Sequence, residues 1–416
     1  MKNRTRRTYW TMLLVALAAT GCNQHQEIPA QGDQTIQVFN AEPVRFAPDE
    51  NCDGLTPDSD GLVCFANGRI IMKKLTLPVY QRQVNVKAKM TLSSAGDRWD
   101  KSGSCFIIPA GSENNLLNIL RGDASFPKTG EELEGMAGIV PGDGYQPSIE
   151  LMRFMTPFGV GYYNDKMELR RPPYIPEWAE NVVWEQDVTD LLSELEQDVW
   201  IGLWIDTWTP EGYTVSLELN FDETEGPCYA KPKTKLLPLV NTVYYTGPQT
   251  YPDIFARKDV VVTASVPDNA TNVRLKYITT GHGGHSGGDE FVKKENIIYV
   301  DGQKAFSFVP WRDDCASFRR FNPGTGTWYA EEREGEYLDW KAGGYQTATM
   351  HERVSSSDFS RSNWCPGSSV VPEEIALPNL KPGQHEFKFS IPQAQEVDGD
   401  KLNHWLISAY LVWDVK

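Results

Sequence analysis

Apolar and polar residues alternate with a period of two along most of the chain. Val84, Val86, Ala88 and Met90 are separated by Asn85, Lys87 and Lys89, and Val215, Leu217, Leu219 and Phe221 by Ser216, Glu218 and Asn220. The same alternation runs through Val273, Leu275 and Tyr277, and through Phe387, Phe389 and Ile391. Successive side chains of a strand point to opposite faces, so this pattern predicts antiparallel strands with one face on a core. One segment reads as a helix: Asp187–Glu196, capped by Asp187, with Leu191, Leu192 and Leu195 on one face. Segments rich in glycine and proline, Pro109–Gly144 and Pro172–Pro176, separate the strands, and no alternation of helices with strands appears. The prediction is an all-β protein of two sandwiches or jelly rolls. A chain of 416 residues exceeds what one core usually serves. The run from Pro227 to Lys233 lies between strand-like stretches and is the natural seam, and no sequence repeat relates the two halves.

The N-terminus departs from this pattern. Lys2, Arg4, Arg6 and Arg7 precede a short apolar run from Tyr9 to Thr20 and then Gly21-Cys22. The run falls short of the ~20 residues that span a bilayer, and the arrangement is that of an export signal ending at a lipidated cysteine. Residues 1–21 are therefore expected to be a signal peptide, with lipidation at Cys22 and a polar tether over 22–34. The expected location is the cell envelope of a bacterium, with the membrane reached only through the lipid. Cleavage would remove four of the 40 Lys and Arg set against 56 Asp and Glu, making an already acidic chain more so. A surface of that sign argues against nucleic acid as a partner. Six of the seven cysteines then remain for an oxidising compartment, and proximity favours Cys52 with Cys64 among 15 possible pairings.

Several groups of residues compete as a reactive site. Gly284-His285-Ser286-Gly287-Gly288 matches the nucleophile-elbow pattern, but that motif has meaning only between a strand and a helix, and Phe291 to Val300 reads as strand. His282 and His285 with Asp289 and Glu290 contain metal-ligating types. Six histidines are few for a copper enzyme, however, and no cysteine pair has zinc-finger spacing. Carboxylates beside indoles fit better. Asp97-Arg98-Trp99-Asp100 follows a strand, Asp206-Thr207-Trp208 reads as lying on another, and Asp289-Glu290 reads as opening a third. Residues two apart share a face of a strand, which would aim Asp206 and Trp208 the same way. Pyranose faces lie flat on aromatic rings. Two carboxylates in unlike environments can divide the work of activating water and protonating a leaving nitrogen.

These segments resemble the peptide-N-glycosidase F family through both halves of the chain, roughly residues 35 to 416. Gly96–Asp100 is similar to the family's acidic segment, Arg153–Gly161 and Asp187–Asp190 to framework segments of its first domain, and Asp206-Thr207-Trp208 to its Glu-Thr-Trp. Asp313-Asp314-Cys315 with Ser357–Gly367 resembles the disulfide-bonded loop of its second domain. The resemblance implies two adjacent eight-stranded antiparallel jelly rolls, 35–226 and 246–416, joined by a linker at 227–245, with an insertion near 106–148. It implies that Cys315 pairs with Cys365. It places the primary acid/base carboxylate at Asp100, a water-positioning or water-activating glutamate at Glu290, and a further site carboxylate at Asp206. Trp208 and Trp364 would wall a sugar subsite, Arg361 would orient polar substrate groups, and Trp99 and Lys101 would contact substrate beside Asp100. The implied activity is hydrolysis of the amide joining an N-glycan to asparagine, on glycoproteins or glycopeptides, by a monomer with no metal or organic cofactor. The alternative is a glycan-binding lipoprotein on the same fold. Two positions depart from the family: Asp206 stands for a glutamate, and His282 falls near a family tryptophan.

Overall fold

The structure, a computed structural model, describes residues 28–50, 52, 54–130, 135–166, 175–224, 233–246, 251–284, 287–325 and 328–416. The signal segment, Cys22, Cys228 and the pair His285-Ser286 lie outside them. Among the described residues no helix is long and apolar enough to cross a membrane.

Two β-sandwiches account for most of the chain. In the first, Gln34–Val44, Tyr213–Glu223, Val84–Ser94 and Val182–Asp187 form one sheet in that order. It packs on a second sheet ordered Ile149–Met155, Ser102–Ile107, Gln197–Ile205, Ile70–Leu77 and Leu62–Phe65. The alternating residues do what their period requires. Val86 faces Phe221, Ala88 faces Leu219 and Met90 faces Leu217 across one ladder, all buried, while the intervening lysines point outward. In the second sandwich, Thr234–Asn241, His404–Val415, Ala270–His282 and Glu373–Ala376 pack on Val260–Val266, Gly383–Ser390, Asn296–Val300 and Gln303–Phe308. The two-domain, antiparallel all-β prediction holds, with one strand beyond eight in the first domain.

Four local readings are corrected. Thr189–Glu194 is a 3₁₀ helix whose N-cap is Val188; Asp187 ends the preceding strand and accepts from the Thr189 amide at 2.9 Å, and Leu191, Leu192 and Leu195 are buried. The tighter 3₁₀ form is common in such short connectors. The expected linker contains a strand, Thr234–Asn241, whose Leu239 and Val240 are buried in the second domain. Asp289 and Glu290 sit in a turn, closed by Phe291 N–H donating to the Gly288 carbonyl, and the strand starts only at Asn296. Asp206 follows the end of its strand at Ile205, although its amide still donates to Ser102 at 3.0 Å.

The domains are stitched together over a broad seam. Ile149–Met155 is buried at every position because the second domain covers its outer face. That burial includes an ion pair, Glu150 with Arg153, and Arg153 donates across the seam to Thr280 Oγ1 and the Leu406 carbonyl. The two-residue strand Ser369–Val370 adds to the edge of the first domain's sheet. From the expected insertion, Ile139 and Val140 join the second domain's core, and the Ile139 carbonyl accepts from the Asn241 amide.

Cys52 pairs with Cys64 and Cys315 with Cys365; Cys105 is a buried free thiol. The second bridge closes a loop over a separation of 50 residues. Loop-closure entropy makes it worth about 4 kcal/mol. Replacing Cys315 and Cys365 together by serine should lower the thermal midpoint well below that of the same replacement at Cys52 and Cys64, whose separation is 12. Differential scanning calorimetry under oxidising conditions checks this order.

Candidate active site

The loop from Ala95 to Lys101 is fixed before it presents anything. Asp97, fully buried, accepts from the Trp99 amide at 2.9 Å and from Thr207 Oγ1 at 2.7 Å. The Tyr213 hydroxyl donates to the Trp99 carbonyl at 2.6 Å, and Lys101 and Thr156 exchange bonds through the Lys101 amide and carbonyl. Asp97 therefore acts as an internal brace, and Asp100 is the loop's available acid. Its side chain is 18% exposed and faces the second domain, with Oδ2 3.7 Å from Arg361 Nη2. Burial pushes the Asp100 carboxyl up to about 7, with Glu290 adding to the shift and Arg361 and Lys101 opposing it.

Arg361 and Glu290 arrive from the other domain on equally fixed segments. Arg361 exchanges both backbone bonds with Arg312, three residues before the Cys315–Cys365 bridge. The next residue, Ser362, ties this loop to the Glu290 turn: its amide donates to the Glu290 carbonyl at 2.9 Å and its hydroxyl to the Asp289 carbonyl at 2.6 Å. The Asp289 carboxylate accepts from Trp405 Nε1 and from the Gln395 amide and side chain, so it anchors the turn. On this frame Arg361 Nε donates to Glu290 Oε1 at 2.8 Å, while Nη1 and Nη2 donate to the carbonyls of Phe359 and Ser356, both at 2.9 Å. The guanidinium lies over the rings of Trp364 and Phe291.

Asp206 forms a separate station. Oδ1 accepts from Trp208 Nε1 at 2.9 Å, Oδ2 accepts from the Tyr244 hydroxyl at 2.9 Å, and Arg69 Nη1 lies 3.5 Å away. Burial raises its pKa; Lys101, Tyr244, Arg69 and Trp208 pull the other way. Lys101 thus acts electrostatically on both Asp100 and Asp206. The Trp208 indole, 51% exposed, rests on the Arg69 guanidinium at 4.1 Å. Trp99 is 52% exposed. These two rings offer accessible apolar faces beside carboxylates.

One of the two expected wall residues is not a wall. Trp364 is only 3% exposed, donates Nε1–H to the Gly281 carbonyl and supports Arg361 from beneath. His282 is buried against Trp364 and presents no stacking face. Reading the sequence also missed Arg69, Thr156, Tyr213 and Tyr244, which hold the acids in place. The buried charges of the apolar run Ile149–Met155 were the one signal of a covered seam. Among the described residues no cluster of three or more metal-ligating side chains occurs.

The arrangement supplies an acid whose proton is retained near neutrality, facing a glutamate held by a guanidinium, at a seam with exposed indoles. Family models match both halves: that for the N-terminal domain of peptide-N-glycosidase F over residues 35–221, and that for its C-terminal domain over 250–412. The chain belongs to the peptide-N-glycosidase F family. Structures of PNGF-II in two crystal forms are 33% and 34% identical to it, with TM-scores of 0.76 and 0.75 over 92% of this chain. The match covers 65% and 66% of PNGF-II, so this chain spans about two thirds of that protein's length. PNGase F from Flavobacterium meningosepticum is 15% identical, with a TM-score of 0.55 over 92% of this chain and 96% of its own, and shows the fold alone. No protein of curated function matches the chain.

Proposed function

We propose that the chain hydrolyses the amide between the innermost N-acetylglucosamine of an N-glycan and asparagine, acting on glycoproteins or glycopeptides. The observation that carries this reading is Asp100 facing the Arg361–Glu290 pair across the seam. Glu290, held by the Arg361 guanidinium, takes a proton from water as the oxygen attacks the side-chain carbonyl carbon of asparagine. Asp100 gives its proton to the amide nitrogen as the carbon–nitrogen bond breaks. The nitrogen leaves on the sugar as a glycosylamine, and the peptide retains aspartate. Protein groups alone perform these steps. The same reading has the chain exported, anchored at Cys22 and meeting its substrates at the cell envelope.

Trp208 and Trp99 supply the stacking faces, with Asp206 fixing the Trp208 ring. Trp208→Ala should raise KM about tenfold, the worth of one aromatic contact, and change kcat by less than about threefold. Steady-state kinetics on a fluorescent glycopeptide measure both.

The reading is tested by incubating the purified chain with an N-glycosylated peptide in excess chelator and following peptide mass. Conversion of the glycosylated asparagine to aspartate supports it. Retention of the glycopeptide by the protein with no conversion would replace it with a glycan-binding role.

A further inference from the structure

Rings buried beneath the groove form one continuous row. Trp364, which carries Arg361, stacks on His282 at 5.4 Å, and His282 stacks on His404 at 4.8 Å with planes 17° apart. His404 lies 5.0 Å from the Tyr251 ring and 5.7 Å from Tyr244, whose hydroxyl donates to Asp206. The row therefore joins the Arg361 guanidinium at one end to the Asp206 carboxylate at the other.

Its two central members are imidazoles held neutral by their surroundings. Thr280 Oγ1 takes a hydrogen bond from Arg153 Nη1 at 3.3 Å and has its own proton to give His282 Nε2 at 2.8 Å. His404 Nδ1 lies 2.6 Å from the Leu402 carbonyl, which can only accept, so the ring proton sits there; Nε2 is buried without a partner. Charged groups surround the row on every side. Arg153 stands behind Thr280, Arg361 lies across Trp364, and Asp206 with Arg69 lies beyond Tyr244. Asp253 acts on His404, although its carboxylate is already engaged by Arg257 and the Val397 amide. Burial depresses both rings, His404 to about 4 and His282 well below its usual value, with His404 and Arg153 adding to the effect on His282.

We propose that His282 and His404 are positioning residues, which level Arg361 and Asp206 beneath the substrate only while both rings are uncharged. A proton on His282 would put a cation beside Arg153, and one on His404 would put a cation against the His282 ring, in a dry place where repulsion is weakly screened. The row then parts, and Arg361 loses its seat above Trp364. The sign follows from linkage. A histidine held neutral by the fold contributes fully above its ordinary value near 6.5, and that contribution is lost as the pH falls from there toward about 4. This inference rests on the amidase reading for its kinetic consequence and on the geometry alone for its structural one.

The test follows the Arg361 Nε–H signal by nitrogen-15 NMR of the full chain, assigned by its loss in Arg361→Lys. In the wild type the signal should keep a distinct, exchange-protected position near neutrality and move to the position of a free arginine as the pH falls toward about 4. The double variant His282→Phe with His404→Phe keeps both rings but neither can take a proton, and its signal should hold the protected position at least about one pH unit lower. His282→Ala should show the free-arginine position at every pH and lower kcat tenfold or more, with KM within about twofold. If His282→Ala does not fold, the double phenylalanine variant decides alone. The same transition pH in the wild type and the double variant, or a protected position in a folded His282→Ala, would overturn the proposal. A chain without amidase activity sinks the functional reading while leaving the NMR result to judge this one.

Discussion

Asp100→Asn is expected to lower kcat for glycan release by about 10³–10⁴, near the upper end of what a general acid contributes. The amide keeps the size of the carboxylic acid but has no proton of comparable acidity to give the leaving nitrogen. The pH profile carries the sign. Burial holds the Asp100 proton up to about 7, so the donor form prevails below that value, and wild-type kcat/KM should fall about tenfold per pH unit above it. Asp100→Asn should show no such limb. The stability contribution of Asp100 should fall in the same direction. A carboxyl whose folded pKa is raised from 3.8 binds a proton that the unfolded chain lacks, so its contribution is lost as the pH rises through about 7. Above that pH the variant should melt higher than the wild type, as expected when a strained catalytic group is relieved. Scanning calorimetry at two pH values checks this independently of turnover.

Arg361→Ala should be the most damaging single change to the fold around the site. It leaves Glu290 buried without the guanidinium that holds it and removes donors to two carbonyls. Breaking a buried pair by removing one partner costs about 3–5 kcal/mol. Loss of positioned charge at the reacting amide should lower kcat by a further 10²–10³, roughly the value of one preorganised donor. Arg361→Lys should rescue neither quantity, because a single ammonium cannot reach Glu290 Oε1, the Phe359 carbonyl and the Ser356 carbonyl together. Chemical denaturation and steady-state kinetics of the two variants decide the matter. A lysine variant with wild-type kcat would show that charge, and not the planar fork, is what the site uses.

How far these features could be read from the sequence depended on how local their causes are. The strands around Val86, Leu217 and Leu275 were legible because alternation is a property of neighbours, and one sheet face on a core enforces it residue by residue. The turn at Asp289 was hidden, since its cause is a set of bonds from Trp405 and Gln395, more than a hundred residues away. Helical spacing at Leu191 and Leu192 reported the buried face correctly but could not distinguish a 3₁₀ turn from an α-helix over so short a run. Asp100, Glu290 and Arg361 were named through resemblance to a family; spacing alone gave no reason to prefer them over Asp97 or Asp289, which turn out to be braces. Trp364 was misread for a related reason. Its residue type suits a sugar, but its burial follows from the disulfide-closed loop and from His282, neither of which is near it in simple strand periodicity.

The most direct test of the central claim is glycopeptide hydrolysis by the wild-type chain in heavy-oxygen water, followed by fragmentation of the peptide product. Attack of water on the asparagine carbonyl predicts aspartate at the former glycosylation site, with one heavy oxygen in its side-chain carboxylate and no sugar attached. A peptide that keeps asparagine, bare or bearing a single N-acetylglucosamine, would place the cut at another bond and contradict the account.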